Sequence, residues 1–309
     1  MTPDLICLGE PLVEFVDVGG SGEASYRCGL GGDTSNAAIA AARQGGRVGY
    51  LSVLGSDRFG DRIMAGWIRE GIDTTHVRRN PDAPTGIYFV HPDPVGREFS
   101  YFRAGSAASR MMAEDLPLDY LREARALHLS GISLAVSESM RKAALTAART
   151  VKEAGGTVSL DTNLRLKLWT ADIARTEILG AMSLVGIVIT SIEDSRVLTG
   201  LDEAGKIIDF YQQFGPKIVI VTQGDAGCTV DDGNTRTVID AAAAEAVDST
   251  GAGDSFAGAF LARWLATSDV IGSAEYAAFV AAKVVSGYGA VDPIPMAEAV
   301  LSEMGVRPG

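Results

Sequence analysis

Asp248-Ser249-Thr250-Gly251-Ala252-Gly253-Asp254-Ser255-Phe256 stands directly before an apolar run that reaches Ala266. Within that run Phe256, Phe260, Leu261 and Trp264 fall at i, i+4, i+5 and i+8, which predicts a helix. Gly251, Ala252 and Gly253 therefore sit at a helix N-terminus. The first N–H groups of a helix have no intrahelical partner, and the helix dipole is positive there. Small residues let an anion approach those bare amides. Asp254 is then placed beside the anion, where a carboxylate is repelled. That position suits a base that takes a proton from an attacking hydroxyl. An ordinary glycine-rich N-cap, with Asp254 favouring the dipole, is the competing reading of Gly-Ala-Gly-Asp alone.

Outward from this stretch the chain alternates. Strands are predicted at Leu5–Leu8, Tyr50–Leu54, Ala126–Leu129, Val158–Leu160, Val185–Ile189, Ile218–Val221 and Cys228–Val230. Helices are predicted at Phe59–Arg69, Glu138–Ala154, Ala174–Met182, Ile207–Phe214, Ser255–Leu265, Ala274–Ser286 and Met296–Met304, with an Ala-rich one ending at Gly45-Gly46. Ala241–Ala244 reads as a loop or edge strand. The pattern predicts one α/β domain over residues 1–309, doubly wound around a mostly parallel sheet. Ligands of such folds sit at the carboxyl ends of the strands.

Two passages break the alternation. Residues 12–30 carry strand-like runs around Gly19-Gly20-Ser21-Gly22. Residues 85–103 carry two more, joined by Pro92-Asp93-Pro94-Val95-Gly96. Both read as hairpins. Together they predict a small separate sheet, either a lid over the active site or a contact between subunits.

The 309 residues carry a formal net charge of -12, which argues against a nucleic-acid partner or an anionic membrane surface. Anionic ligands would then depend on a few local basic residues. Cys7, Cys28 and Cys228 are scattered, with no CxxC and no Cys/His cluster, which points to reduced thiols of a cytoplasmic protein and no zinc site. Asp4 and Glu10 interrupt the first apolar segment, unlike a signal peptide. No charge-free apolar run is long enough to span a bilayer.

Other stretches carry chemistry. In Gly31-Gly32-Asp33-Thr34-Ser35-Asn36, paired glycines let a sugar ring approach the backbone, and Asn36 can hydrogen-bond its hydroxyls; helix capping by Asp33 or Thr34 is the alternative. Thr222-Gln223-Gly224-Asp225-Ala226-Gly227 follows a strand and can admit a nucleotide, although turn glycines are common. Arg103 ends the second hairpin, and Arg165 follows the strand at Val158–Leu160. Arginine suits a forked contact to a carboxylate; a surface ion pair is the usual answer for a lone one. As a residue of the lid, Arg103 is expected to keep more solvent than Arg165.

The stretch 248–256 resembles the C-terminal signature of the ribokinase-like (PfkB) carbohydrate kinases, Asp-Thr-Thr-Gly-Ala-Gly-Asp-x-Phe, with Ser249 as the departure. Gly31 and Gly32 with Asn36, Ala38, Ala42 and Arg43 are similar to the family's N-terminal signature, and the Thr222–Gly227 turn to its nucleotide-binding turn. Gly9-Glu10-Pro11-Leu12-Val13, Tyr101-Phe102-Arg103, Leu129-Ser130-Gly131-Ile132 and Asp161-Thr162-Asn163-Leu164-Arg165 look like the branch that phosphorylates 2-keto-3-deoxygluconate (KDG), which often has Tyr where this chain has Leu164.

The resemblance implies a ribokinase-like fold and transfer of phosphate from ATP, with Mg²⁺, to the terminal 6-hydroxyl of KDG. Fructokinase or another neutral-sugar kinase is the alternative within the family, and a non-catalytic sugar sensor the alternative outside it. Asp254 would be the base, with Gly251, Ala252, Gly253 and Asp254 amides as the anion hole. Gly32, Asn36, Tyr88, Tyr101, Arg103, Ile132 and Arg165 would hold the acceptor, the two arginines by its carboxylate. Asn163, Ser191, Thr222, Gly224, Gly227, Gly253 and Ala290 would meet the nucleotide. Asp194 stands where the family has a glutamate that orders magnesium's water; an N-terminal capping acid is the competing reading. Asp248 and Thr250 resemble a monovalent-cation (K⁺) pair, or could simply shape their loop. A homo-oligomer formed through the lid is a further expectation.

Overall fold

The computed structural model describes residues 2–19, 25–93 and 96–305. The apolar runs become strands. In chain order these are β1 (Leu5–Leu8), β2 (Leu12–Asp17), β3 (Tyr26–Gly31), β4 (Val48–Leu51), β5 (Val53–Gly55), β6 (Arg78–Asn80) and β7 (Ile87–Asp93). They continue with β8 (Gly96–Phe102), β9 (Ala126–Ser130), β10 (Thr157–Asp161), β11 (Ile187–Ser191), β12 (Ile218–Thr222), β13 (Cys228–Asp231) and β14 (Arg236–Ile239).

The large sheet runs β14-β13-β12-β11-β10-β9-β1-β4. From β12 to β4 every pairing is parallel, and β13 and β14 finish the edge antiparallel. Strand β12 shows why the sequence reads as it does. Ile218 and Ile220 enter the core on one face of the sheet, Val219 and Val221 the core on the other. Burial on both faces by helices requires a continuous apolar run rather than an alternating one.

Several boundaries differ from expectation. The run Tyr50–Leu54 is not one strand. Ser52 donates its hydroxyl to the Gly9 carbonyl (2.8 Å), the chain leaves the large sheet there, and β5 pairs instead with β6. Strand β14 was not expected; three of its four residues are partly or fully exposed, so it lacks an apolar run. Ala241–Ala244 has no regular structure, as the loop reading holds. The penultimate long helix spans Val270–Val285, because Asp269 caps it by accepting the Gly272 N–H.

The small sheet runs β3-β2-β7-β8. Its two halves are the expected hairpins, antiparallel within themselves and joined by a parallel pairing of β2 with β7. Residues 20–22 and 94–95 of the expected turns lie outside the described residues. Cys7, Cys28 and Cys228 are free thiols. Among the described residues no helix is long and apolar enough to cross a membrane.

One packing contact decides the site. The helix Asp33–Arg43 lies on the helix Ala252–Thr267. A Cβ on Gly258 would stand 2.1 Å from the Ala37 carbonyl oxygen and 2.8 Å from the Ala40 Cβ. Only glycine allows that approach, and it brings the N-termini of both helices, with their motifs, to one place.

Candidate active site

Residues from the carboxyl ends of β9, β10, β11 and β12 and from the small sheet line a single cavity of about 1000 Å³. At its floor the helix Ala252–Thr267 begins. Gly251 is its N-cap, in left-handed conformation (φ 77°), and no side chain caps the helix. A Cβ on Gly251 would meet the Ala290 Cα at 2.8 Å, while one on Gly253 would meet open space. Gly251 thus needs to be glycine for its backbone, and Gly253 leaves the first turn bare toward the cavity. Uncapped amides at the positive end of a helix fit the phosphates of a nucleotide.

Asp254, one residue on, is held by two amides. Asn36 Nδ2 donates to its Oδ2 (2.8 Å) and Asn163 Nδ2 to its Oδ1 (3.1 Å). Asn163, expected at the nucleotide, lines the cavity and grips the carboxylate; it does so from a loop in which its own φ is 31°. Burial pushes the Asp254 carboxyl up to about 6, with the Asp33 charge adding to the rise and Asn36, Arg165 and Asn163 opposing it. A carboxylate so poised is a stronger base than an ordinary aspartate and is still ionised at neutral pH. The Asn36 Oδ1 atom is buried and has no hydrogen-bond partner among the described residues.

The acceptor side is built by long-range contacts. Gly32, Tyr88, Tyr101 and Ile132 line the cavity. Tyr88 donates its hydroxyl to Glu14 (2.5 Å) and lies against Tyr101 (ring centroids 5.6 Å apart). The two arginines differ from expectation. Arg103 is the buried one, its side chain 11% exposed, and its Nε donates to Glu10 Oε2 (2.6 Å). Arg165 is exposed at the cavity and donates to the carbonyl of Leu164 (2.9 Å). Among the described residues Arg165 makes no ion pair. Arg103, just after β8, is buried because Glu10, just beyond β1, draws it inward.

The rest of the expected nucleotide and metal set divides. Ser191, Asp194, Thr222 and Thr250 line the cavity; Ala252, Gly224, Gly227, Asp248 and Ala290 do not. Ser191 caps the helix Ile192–Thr199 by accepting the Asp194 N–H (3.0 Å). The side-chain cap is thus Ser191, and Asp194 lies in the helix's first turn, where the competing reading places an acid. Asp194 accepts from Thr162 Oγ1 (2.9 Å) and the Leu164 N–H (2.8 Å), bracing the loop that carries Asn163 and Arg165. Thr222 bonds the Thr190 carbonyl (3.3 Å). Gly227 serves a close approach to the backbone after β14, where a Cβ would meet the Ile239 carbonyl at 2.0 Å. Asp248 accepts the N–H groups of Thr250 (3.0 Å) and Gly289 (2.7 Å), which pins the loop carrying Ala290 behind Gly251. Among the described residues no three His, Cys, Asp or Glu side chains converge as a metal site.

Sequence reasoning passed over Glu10, Glu14 and Asp161. Asp161 lines the cavity, and burial, with Asp254 and Asp194 nearby, pushes its carboxyl well up. A signal was there for Glu10 and Glu14: an acid just beyond an apolar strand, as Glu10 is, or inside one, as Glu14 is, is seldom buried without a partner.

Comparison with known proteins agrees with this geometry. The pfkB family carbohydrate kinase pattern matches residues 3–297. The chain is 32% identical over 300 residues to the 2-dehydro-3-deoxygluconokinase of Thermoproteus tenax, covering 94% of this chain and 91% of that one. It is 35% identical over 268 residues to fructokinase-1 of Zea mays, covering 84% and 82%. Among solved structures, a PfkB protein from Polaromonas sp. JS666 superposes with a TM-score of 0.88 at 31% identity, over 96% of this chain and 99% of that one. The fructokinase of Vibrio cholerae O395, in a form with fructose, ADP and calcium bound, superposes with a TM-score of 0.87 at 26% identity, over 98% and 99%. The fold is ribokinase-like, and the chain belongs to the pfkB family of carbohydrate kinases as an ATP-dependent sugar kinase.

Proposed function

We propose that the protein phosphorylates the terminal 6-hydroxyl of 2-keto-3-deoxygluconate at the expense of ATP. One observation carries the choice of acceptor. In a protein of net charge -12, Arg165 lines the acceptor cavity with no ion pair among the described residues. An anionic acceptor gives that charge a partner, and a neutral sugar does not. The relative from Thermoproteus tenax, named for the same sugar acid, supports the reading. The similarity to plant fructokinases at comparable identity makes fructose the second reading.

Each residue then has a task. Asp254 accepts the proton of the acceptor hydroxyl. Asn36 and Asn163 fix its carboxylate, so that the base does not wander from the attack line. The bare amides at Gly251–Asp254 stabilise the phosphoryl charge. The β2–β3 and β7–β8 hairpins act as a lid, whose closure excludes water and so limits ATP hydrolysis. Magnesium, bound to the nucleotide phosphates, would neutralise charge on the transferred group. Asp194 is already engaged with the 162–164 loop and fits a contact to that ion through water, not a direct bond. Asp248 fits a loop-shaping role, and nothing in this scheme rests on a monovalent cation.

The test is an assay of ATP turnover with purified protein and a panel of sugars. KDG should exceed fructose in kcat/KM by a wide margin. Equal efficiency with fructose would end the sugar-acid assignment and leave the kinase itself standing.

A further inference from the structure

Glu10 is buried with 0% of its side chain exposed, and the chemistry above gives it no task. The chain passes between the two sheets at 9–11, 32, 84–86 and 103–106. Glu10 touches all of these crossings. A Cβ on Gly32 would stand 2.5 Å from the Glu10 carbonyl oxygen, and one on Gly86 would stand 3.2 Å from its Oε1. Its Oε1 accepts the Ser106 hydroxyl (2.5 Å) and its Oε2 accepts Arg103 Nε (2.6 Å), with Arg103 Nη2 also in ion-pair contact. The Ala107 N–H closes the same junction on the Pro84 carbonyl (2.8 Å).

We propose that Glu10 is a positioning residue for the acceptor: it clamps the Nε and Nη2 side of Arg103 and the exit of β8, and so fixes how this arginine lines the cavity. The proposal rests on the reading of this cavity as the acceptor site. An arginine at the end of a lid strand would otherwise sample many rotamers, and each would have to be frozen on binding. The planar fork needs only one edge held for the other to be aimed. The Glu10 charge has a second effect. It pairs with Arg103, so the arginine of the cavity without an ion pair among the described residues, open to an acceptor carboxylate, is Arg165. Glu10 thus divides two arginines into one that orients and one that attracts. The burial of Glu10 pushes its carboxyl up, while Arg103 and Ser106 pull it back toward the ionised form. The ion pair stands on the geometry itself.

The experiment is a double-mutant cycle of Glu10→Gln, Arg103→Met and the pair. The pair removes both charges together and leaves neither buried alone. The readouts are acceptor KM and kcat at saturating ATP, KM for ATP, and the melting temperature. The acceptor is whichever of KDG and fructose the wild type turns over, so failure of the sugar-acid assignment leaves this test intact. Glu10→Gln should raise acceptor KM about tenfold and leave KM for ATP within about twofold. In the Arg103→Met background the same change should alter acceptor KM by less than about twofold, because its only route is gone. Losses that multiply in the pair would overturn the proposal, since Glu10 would then act on the fold independently of Arg103. Should Glu10→Gln fail to fold, Ser106→Ala frees one Glu10 oxygen and keeps the ion pair. It should raise acceptor KM about two- to threefold with ATP unaffected, and an unchanged acceptor KM overturns the proposal.

Discussion

The cavity has two ends built on opposite principles. The phosphoryl end is made almost entirely of backbone: uncapped amides at one helix start, shaped by Gly251 in left-handed conformation and backed by Ala290. The acceptor end is made of side chains that reach in from separate segments, Arg103 from the small sheet, Arg165 from the loop after β10, and Asn36 from the first helix. Phosphate is the same in every turnover, so a rigid backbone cradle serves it. The acceptor must be told from its relatives, and side chains brought in from separate segments can do so. Asp254 belongs to both ends. Its backbone is part of the cradle, and its carboxylate is held by Asn36 and Asn163.

Loss of the group shared by both ends should have the largest effect. Asp254→Asn is expected to cut kcat by at least about a hundredfold, the scale of general-base catalysis, with ATP affinity nearly intact. Isothermal titration with ATP, beside steady-state kinetics, separates the two. A variant that keeps most of its kcat at saturating substrate would show that the two ends do not meet at this residue.

The arginines sharpen the contrast within the acceptor end. Arg103→Ala leaves Glu10 buried without its cation and should destabilise the protein by about 3–5 kcal/mol, read by chemical denaturation. Arg165→Ala exposes nothing buried. It should leave stability within about 0.5 kcal/mol, yet lower kcat/KM for KDG by roughly tenfold to a hundredfold. The preference for KDG over fructose should shrink with it. Equal stability losses in both variants would mean that the attracting and orienting roles are not separated.

The same contrast governs what could be read from the sequence. The phosphoryl end lies within Asp248–Phe256, and a helix start with small residues follows from local periodicity alone. The large sheet was legible for the same reason, since strands such as β12 are continuous apolar runs. Strand β14 was not, because an exposed edge needs no apolar run. The acceptor end is assembled over distances of 93 residues, as between Glu10 and Arg103, and 97, as between Asp33 and Ser130. No local pattern encodes such a pairing. Arg103 was therefore expected to be the solvated arginine, and the hidden acid that buries it was not anticipated. Ser191 and Asp194 show the smaller version: both line the cavity, and the helix cap of the one and the loop contacts of the other are added by the fold.

The smallest expected effect concerns how the acceptor end tunes the base. Asp254 has a carboxyl near 6, so kcat/KM should fall about tenfold per pH unit below that point as the base is protonated. Its charged neighbours push in opposite directions. Asp33 is a like charge and raises the carboxyl; Arg165 is an opposite charge and lowers it. Asp33→Asn should therefore move the acid limb to lower pH, and Arg165→Ala should move it to higher pH. At pH 5.5 each change should alter the normalised rate by less than about tenfold. Stability has its own sign. The folded carboxyl lies above the ordinary 3.8, so its neutral form is favoured in the fold. That contribution is complete below pH 3.8 and is lost as the pH rises through about 6. Asp254→Asn, neutral at every pH, should then gain stability over the wild type as the pH rises from about 4 to about 6, and hold that gain at higher pH. Limbs that move the same way in both neighbour variants would point to general damage to the site. Limbs that diverge would tie the base to the charges of the acceptor end, and so make the two ends one electrostatic unit despite their different construction.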